Sequence, residues 1–558
     1  MKKPDLTILL VLIVSLFSCP RDIARASSSQ GPESLATTAA AVIKESTLSA
    51  HIQFLASDLL EGRATGTRGY DVAALYVAAQ FEQIGLLPVD NSYFQKVPLR
   101  KADLVQESPA FTITGPKGVV QLKYAEQFLM GPDYAREETS VSADAVFAGF
   151  GVTAPDLSYD DYEGLDVKGK IIVLLTGAPA SFPISERAHY SSSYTKEITA
   201  VNHGAVGIIT VRNPQDEDRS PWERNVRQSK LSGYRWIDSQ GTPSNFHSEI
   251  RGGAALSRAG AEVLFLQSGT SLEKIYEQWR NAKVKGFPLN VKVNLSKTSR
   301  FEARTGSNIV GMLKGSDPEL KQEYVVHTAH LDHVGITDPV NGDAINNGAY
   351  DNATGIACLI ETARAFKSLP QPPRRSVLFV AVTAEEKGLQ GSDYFAGNPL
   401  VPLQSIVANV NTDMFLMLYP FTDAVALGAD HSSLGPIAEK AFEYVGLKMV
   451  PDPAPEEVRF VRSDQYSFIK KGIPAIKLMA GFTSADASIN GEEATRNWLK
   501  TIYHSPQDDL TQAMHWESGA KIVRANFLIG FEAANRQERP SWNRDDFFGK
   551  MFGGNASR

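Results

Sequence analysis

The feature that most constrains the fold is the alternation of apolar strands and helices from about residue 305 onward. The strand-like segments include "EYVVHTAH", "RSVLFVAVTAEE", "SIVANVNTDM" and "AIKLMAG", and helical segments such as "GIACLIETARAF" and "LGPIAEKAFEYVG" separate them. This alternation predicts an α/β fold, with a mostly parallel mixed sheet covered by helices on both faces. In such sheets, functional sites lie beyond the carboxyl ends of the strands.

Side chains able to bind metal occur where several of these strands end. They are His330 and Asp332, Glu385 and Glu386, Asp413, Asp351 before a helix, and His504 before the last helix. Each has an ordinary alternative, such as a helix N-cap for Asp351 or a solvated loop for the glutamate pair. Their shared position at one edge of the sheet nevertheless favours a metal site.

The chemistry that needs such a set is metal-assisted hydrolysis. Two zinc ions about 3.5–4 Å apart can hold a water and a carbonyl oxygen, and a shared carboxylate fixes their spacing. Histidine and carboxylate ligands suit zinc. Two adjacent glutamates can divide the work, because one can bind metal while the other accepts the proton of the attacking water.

The segment "HTAHLDHVG" places three histidines and an aspartate within nine residues. The preceding residues predict a strand, on which His327 and His330 point to opposite faces. Only one of them is then expected to face the site. His330 and Asp332 share a face, which is typical of a ligand imidazole and the carboxylate that orients it.

Length and composition exclude some classes of protein. The 558 residues indicate two to four domains, and a net charge of −7 without a long basic run gives no indication of nucleic-acid binding. Residues 1–26 have the pattern of a signal peptide, with an apolar run too short to span a membrane. Cleavage after "ARA" and lipidation of Cys19 in "LFSC" both remain open. Either predicts export, to the periplasm or as a secreted protein, and lipidation of Cys19 would make it a lipoprotein.

The chain is expected to divide into a main domain and an insert. Residues 27–44 are expected to be a loose lead-in, and residues 45–137 and 300–545 to form the discontinuous main domain. Residues 138–299, with short apolar strands and Gly/Pro-rich turns, are predicted to form a compact mixed α/β insert. Residues 546–558 are expected to be a tail. Within the main domain, a helix with Ala74, Val77, Phe81 and Ile84 on one face is predicted to stop at Gly85.

Five motifs in order carry a family resemblance. "AHLD", "YDNATG", "AEEKGLQGS", "NTDM" and "YHSPQDD" resemble those of the di-zinc exopeptidases of the aminopeptidase and glutamate carboxypeptidase superfamily, over roughly residues 45–540. The segment 138–299, with "FAGFGV" and "KGKIIVLLTGAP", is similar to the protease-associated domain often inserted in these enzymes.

The resemblance implies a set of ligands for two zinc ions per chain. These are His330 and Asp413 for one ion, Glu386 and His504 for the other, and Asp351 as the bridge. It also implies a cis peptide bond between Asp351 and Asn352. His327 and His333 have no ligand role in the family, so local packing or indirect support is expected for them.

The resemblance also implies roles for residues that do not bind metal. Glu385 corresponds to the general base, Tyr503 is a candidate donor to the tetrahedral oxyanion, and Asp332 would orient His330. The expected function is an exported zinc aminopeptidase that removes N-terminal residues from peptides. No oligomeric state is predicted.

Other functions stay open at this point. A carboxypeptidase or dipeptidase needs Arg or Lys to bind a terminal carboxylate, whereas an aminopeptidase needs acids for the ammonium group. Arg459, Arg462 and Asp464 supply both in "EEVRFVRSDQYSF". The complete ligand set disfavours glutaminyl cyclisation, which usually uses one zinc, and an inactive binding protein, in which at least one ligand should be lost.

Overall fold

A computed structural model describes residues 32–555 of the chain. The predicted signal peptide, with Cys19, lies outside the described residues. Among the residues described, no helix is long and apolar enough to cross a membrane.

The strands are numbered in chain order. They are β1 (Leu87–Pro88), β2 (Phe94–Leu104), β3 (Ala110–Gly115), β4 (Gly118–Gln121), β5 (Phe128–Leu129), β6 (Glu138–Phe147), β7 (Thr153–Ala154), β8 (Tyr159–Asp160), β9 (Ile171–Leu175), β10 (Gly207–Val211), β11 (Gly233–Trp236), β12 (Gly253–Leu256), β13 (Phe287–Leu313), β14 (Tyr324–His330), β15 (Gly335–Val340), β16 (Asp343–Asn346), β17 (Ser376–Val382), β18 (Ile406–Thr412), β19 (Asp423–Leu427), β20 (Lys448–Met449) and β21 (Ala475–Ala480).

The α-helices are numbered in the same way. They are α1 (Pro32–Ala40), α2 (Glu45–Leu55), α3 (Arg68–Ile84), α4 (Ile184–Ser191), α5 (Ser193–Asn202), α6 (Pro214–Arg219), α7 (Trp222–Ser229), α8 (Arg258–Gln267), α9 (Leu272–Arg280), α10 (Thr354–Lys367), α11 (Gln390–Gly397), α12 (Leu434–Tyr444), α13 (Gln465–Ile469), α14 (Gly491–Thr501), α15 (Trp516–Asn535) and α16 (Phe547–Phe552).

The main sheet has the strand order β11–β2–β13–β17–β14–β18–β21–β19–β20, and the short strand β1 also pairs with β13. Its centre is parallel, because β14 pairs in parallel with β17 and β18, and β18 pairs in parallel with β21. The pairs β13–β17 and β19–β21 are antiparallel. The predicted α/β fold class is confirmed. The carboxyl ends of β14, β17 and β18 therefore lie at one edge of the sheet.

Strand β17 explains why the central strands are continuously apolar. Val377, Phe379 and Ala381 pack in one hydrophobic cluster with α10 and α15. The alternate residues Leu378, Val380 and Val382 pack in another cluster with α11 and α13. Since successive side chains of a strand point to opposite faces, a strand covered by helices on both faces needs an apolar residue at every position.

Helix α3 follows the sequence pattern predicted for it. The Thr67 side chain accepts a hydrogen bond from the backbone N–H of Tyr70 at its start, and Gly85 ends it with a left-handed φ of 83°. The predicted apolar face, from Ala74 to Ile84, is buried, and the predicted stop at Gly85 is confirmed.

A second sheet, made of β4–β3–β13–β6–β9–β10–β12–β5, has its own apolar core around Phe111, Phe147 and Val173. The long strand β13 belongs to both sheets: residues 287–298 pair with β6, and residues 299–309 pair with β2. The second sheet includes β3 to β5, upstream of the insert boundary that the sequence predicts at residue 138. Strand β3 joins this sheet by pairing with β13. The sequence of β3 to β5 does not show which strand they pair with.

The structure also differs from the sequence expectations at both ends of the described region. Within the expected loose lead-in, residues 32–40 form α1, whose Ala36, Ala39 and Ala40 are buried against the main domain. Within the expected tail, residues 547–552 form α16, and Phe548 is fully buried. Both segments are too short to show a clear apolar period, so only tertiary packing defines them.

Close packing between α15 and β14 gives a prediction about stability. A Cβ atom at Gly530 would lie 2.1 Å from Nε2 of His327, whose ring is buried and stacks on Phe379. At Gly519 in the same helix, the Cβ would meet the flexible thioether of Met417. Both Gly→Ala changes gain the same helix propensity, so Gly530→Ala should be less stable than Gly519→Ala by about 1–3 kcal/mol in denaturant unfolding. Equal stability would contradict this account of the α15–β14 contact.

Candidate metal centre

Five of the residues singled out from the sequence meet at the carboxyl edge of the main sheet. Two parallel strands deliver a residue almost directly: His330 is the last residue of β14, and Asp413 follows β18. The loop after β17 supplies Glu386, the loop before α10 supplies Asp351, and the loop after α14 supplies His504. The sheet thus brings together residues that are up to 174 positions apart in the chain.

Asp351 lies between two groups of side chains. Its Oδ1 is 3.2 Å from Nε2 of His330, and the same Nε2 is 3.3 Å from Oδ1 of Asp413. Its Oδ2 is 3.2 Å from Nε2 of His504, and that Nε2 is 3.0 Å from Oε2 of Glu386. One carboxylate therefore directs an oxygen into each group, which is the arrangement of a bridging ligand.

The geometry of both groups suits a bound cation. Within each group the candidate ligand atoms lie within 4.8 Å of one another. Zinc–ligand bonds of about 2.0–2.1 Å in a tetrahedron place two ligand atoms roughly 3.3 Å apart. The measured separations of 3.0–3.3 Å match that spacing. The mixed nitrogen and oxygen donors favour a transition metal such as zinc over calcium or magnesium.

The two adjacent glutamates experience opposite electrostatic effects. Burial raises the pKa of Glu385 well above its ordinary value, and the nearby carboxylates of Asp464 and Asp413 raise it further. Burial also acts on Glu386, but the imidazoles of His504 and His333 lower its pKa to about 2. Divergent pKa values of this kind separate a group that stays ionised from one that can exchange a proton.

His333 is part of the second group, which the sequence analysis did not anticipate. Its Nδ1 is 2.8 Å from Oε1 of Glu386 and 3.8 Å from Oδ2 of Asp351. Strand β14 ends at His330, so the alternation of faces does not extend to His333 in the following loop. His327 lies outside both groups, with its ring stacked on Phe379 at 5.6 Å between centroids.

Asp332 differs from its predicted role. The Nδ1 atom of His330 lies 3.0 Å from the backbone oxygen of Asp332, not from its carboxylate. The carboxylate instead accepts the backbone N–H groups of Glu385 at 3.0 Å and Glu386 at 3.4 Å. The prediction that the carboxylate orients His330 is therefore corrected, because Asp332 lies beyond the end of the strand. Its carboxylate positions the glutamate loop.

Asp508 and Arg63 build the loop that carries Asp351. The Asp508 carboxylate accepts the backbone N–H groups of Tyr350 at 2.9 Å and Asp351 at 3.0 Å. The buried Arg63 donates to the backbone oxygens of Asn347 and Gly348. The peptide bond between Asp351 and Asn352 is cis, as the family resemblance implies. Neither Asp508 nor Arg63 has a local signal that links it to this loop.

A cavity of about 980 Å³ opens beside the two groups and is lined by Glu385, Glu386 and Tyr503. Residues 138–299, which we call the second sheet region, also contribute to the lining, for example through Tyr159 and Asn213. The ring of Tyr503 stacks on His504 with centroids 3.8 Å apart. This volume is in the range of pockets that hold small ligands.

The three charged residues that left the substrate class open have different environments. Arg462 lines the cavity. Arg459 pairs with Asp452 at 2.6 Å. Asp464 is fully buried, and burial raises its pKa to about 7. Arg462 is therefore the member of this set that faces the cavity beside Glu385.

Lys477 on β21 is a further residue at the site that the sequence analysis missed. Its Nζ is 2.6 Å from Oδ2 of Asp413, and both side chains are more than 90% buried. Burial alone would raise the pKa of Asp413, but Lys477 and His330 lower it below its usual range. Lys477 occupies one oxygen of Asp413, so that the other oxygen faces His330.

The buried ion pair between Lys477 and Asp413 gives a prediction about stability, which can be measured without an activity assay. Lys477→Met should lower the free energy of unfolding by about 3–5 kcal/mol in the presence of a chelator, because it leaves a buried carboxylate without its cation. Lys230→Met is the matched control, since Lys230 pairs with Asp338 where both side chains are about half exposed. That loss should be below about 1 kcal/mol. Equal losses in urea unfolding would contradict the role assigned to Lys477.

Part of the chain is similar to known peptidases. Residues 308–528 match the model of peptidase family M28. Aminopeptidase YwaD of Bacillus subtilis (strain 168) is 32% identical over 252 residues, covering 44% of this chain and 48% of that protein. Aminopeptidase NAALADL1 of Mus musculus is 34% identical over 134 residues, covering 23% of this chain and 16% of that protein. The chain thus spans less than half the length of either relative.

The fold has a counterpart among solved structures. An aminopeptidase from Aneurinibacillus sp. strain AM-1 matches with a TM-score of 0.52 at 17% identity, covering 90% of this chain and 97% of that chain. At this identity the likeness shows the fold alone. The match of residues 308–528 to the model of peptidase family M28 confirms the resemblance drawn from the motifs.

Proposed function

We propose that this chain is a zinc aminopeptidase that removes N-terminal residues from peptides and uses two zinc ions. The observation that carries the proposal is the position of Asp351, which directs one oxygen toward His330 and Asp413 and the other toward Glu386 and His504. The match of residues 308–528 to the model of peptidase family M28 and the printed names of the relatives support a peptidase, and the two relatives named above are aminopeptidases.

In this proposal the residues at the carboxyl edge divide into two zinc sites. His330 and Asp413 would hold one ion, Glu386 and His504 would hold the other, and Asp351 would be shared by both. His333, at 2.8 Å from Glu386, supports the second site. When bound, zinc supplies Lewis acidity that polarises the scissile carbonyl and lowers the pKa of water.

The chain's own residues then move protons and stabilise charge. Glu385, which lines the cavity next to the proposed ligand Glu386, accepts a proton from the attacking water and delivers it to the leaving amine. Tyr503 lines the same cavity and donates a hydrogen bond to the oxyanion that forms on the substrate. Asp332 holds the backbone of Glu385 and Glu386, which keeps the base beside the metal ligand.

The proposal extends to the second sheet and to the cellular location. The region that includes residues 138–299 has its own sheet and core and is proposed to be a protease-associated insert. Its contribution to the cavity wall supports a role in shaping the substrate site. The signal-peptide pattern of residues 1–26 supports export, either as a secreted or periplasmic protein or as a lipoprotein anchored at Cys19.

A carboxypeptidase or dipeptidase is the second candidate, and Arg462 is the observation that favours it. Arg462 lines the same cavity as Glu385 and Tyr503. A cation in that position could bind the terminal carboxylate of a short peptide.

A panel of dipeptides tests the substrate class. The zinc-loaded protein should cleave free dipeptides, retain turnover when the C-terminus is amidated, and lose turnover when the N-terminus is blocked. An aminopeptidase must recognise a free ammonium group, which blocking removes. Chelator-treated protein is the control. Loss of turnover on amidation, with N-blocked peptides still cleaved, would instead identify a carboxypeptidase.

The general base is tested by Glu385→Gln. This change keeps the shape of the side chain but removes its ability to accept a proton, so kcat should fall by about 10²–10⁴. Zinc content, measured on the same samples, should stay at two ions per chain because Glu385 is not a proposed ligand. Near-normal turnover in the zinc-loaded variant would remove Glu385 from this role.

A further inference from the structure

Helix α7 of the second sheet region lies against the loop that carries His504. The carboxamide nitrogen of Gln228, in the last turn of α7, is 2.7 Å from Nδ1 of His504. The opposite ring nitrogen, Nε2, faces Asp351 and Glu386. The His504 imidazole is thus held at one edge by α7 and presented at the other edge to the candidate metal centre.

A second residue of α7 supports the same loop. The buried guanidinium of Arg224 donates hydrogen bonds to the backbone oxygens of Leu499 and Lys500, at the end of α14. It also lies over the ring of Tyr503 at 5.9 Å, and that ring stacks on His504 at 3.8 Å. Arg224 and Gln228 are four residues apart and therefore share one face of α7.

The loop needs such support because its backbone is not held by regular structure at this point. His504 has a φ of 53°, in the left-handed region that residues other than glycine seldom adopt. It follows α14 and precedes α15, so neither helix includes it. Contacts from α7 therefore fix the orientation of the His504 ring.

The chemistry of the ring defines what Gln228 must do. If Nε2 binds a metal, Nδ1 carries the ring proton and needs a hydrogen-bond acceptor. The Gln228 carboxamide can supply one, since a half turn about its terminal torsion exchanges the nitrogen for the oxygen at the same position. An acceptor there fixes both the tautomer and the orientation of the ring.

We infer that Gln228 is a positioning residue for the metal centre, which makes a helix of the second sheet region part of the zinc site. This inference rests on the proposed function, because it requires His504 to bind zinc. It predicts that the two zinc sites respond differently. The site of Glu386 and His504 depends on α7, whereas the site of His330 and Asp413 does not contact Gln228.

The test measures zinc affinity by competition with a chelating dye, using the full-length protein. Gln228→Met keeps the length of the side chain but removes the acceptor, so one of the two zinc ions should bind about 10–100-fold more weakly. Gln228→Glu retains an acceptor and should bind both ions at least as tightly as the unmodified protein. Glu223→Gln, at an exposed position of α7, is the matched control and should leave both affinities unchanged.

The outcomes separate this inference from the proposed function. Unmodified protein that binds no zinc would overturn the metal centre itself. Unmodified protein that binds two zinc ions, with Gln228→Met binding both equally well, would overturn the role of Gln228 alone. If Gln228→Glu loses as much affinity as Gln228→Met, the hydrogen bond is not the cause, and the inference also fails. Weakening of both ions by Gln228→Met would indicate a general loss of structure and would contradict the selective role.

Discussion

Asp351 directs its two carboxylate oxygens toward two different histidines, His330 and His504, in a region from which water is almost excluded. Burying a carboxylate is costly unless cations and hydrogen-bond donors surround it. Glu386 and Asp413, whose side chains are each less than 10% exposed, add two further carboxylates within a few ångströms. The surrounding sheet and loops hold these three negatively charged carboxylates close together, where positively charged groups can stabilise them.

The main sheet is one half of that architecture. Parallel strands end at a common edge, and helices pack on both faces, so the residues at the strand ends sit on a rigid base. His330 is the last residue of β14 and Asp413 follows the neighbouring strand β18, so the pairing of these two strands brings both residues to the same edge. Lys477, on the next parallel strand, neutralises Asp413 from the side. Precise placement of ligands needs this kind of support from regular structure.

The loops around the sheet are the other half, and they are held by contacts over long sequence distances. Asp508 and Arg63 fix the loop of Asp351 through backbone hydrogen bonds. The second sheet region reaches the same centre through α7, whose Gln228 contacts His504 across 276 residues. The long strand β13 runs through both sheets and joins them with continuous backbone hydrogen bonding. The cavity between the two regions is therefore bounded by both.

The sequence by itself determined the α/β class and the residues that follow the strands, because apolar periodicity is local and strand ends in a parallel sheet share one edge. It did not determine which atoms meet. His333 joins the site, and the carboxylate of Asp332 turns to the glutamate loop, because face alternation ends with β14. Gln228 and Lys477 come from other strands and helices, and no local pattern encodes those contacts. Only the tertiary structure, which brings distant segments within hydrogen-bond distance, decided them.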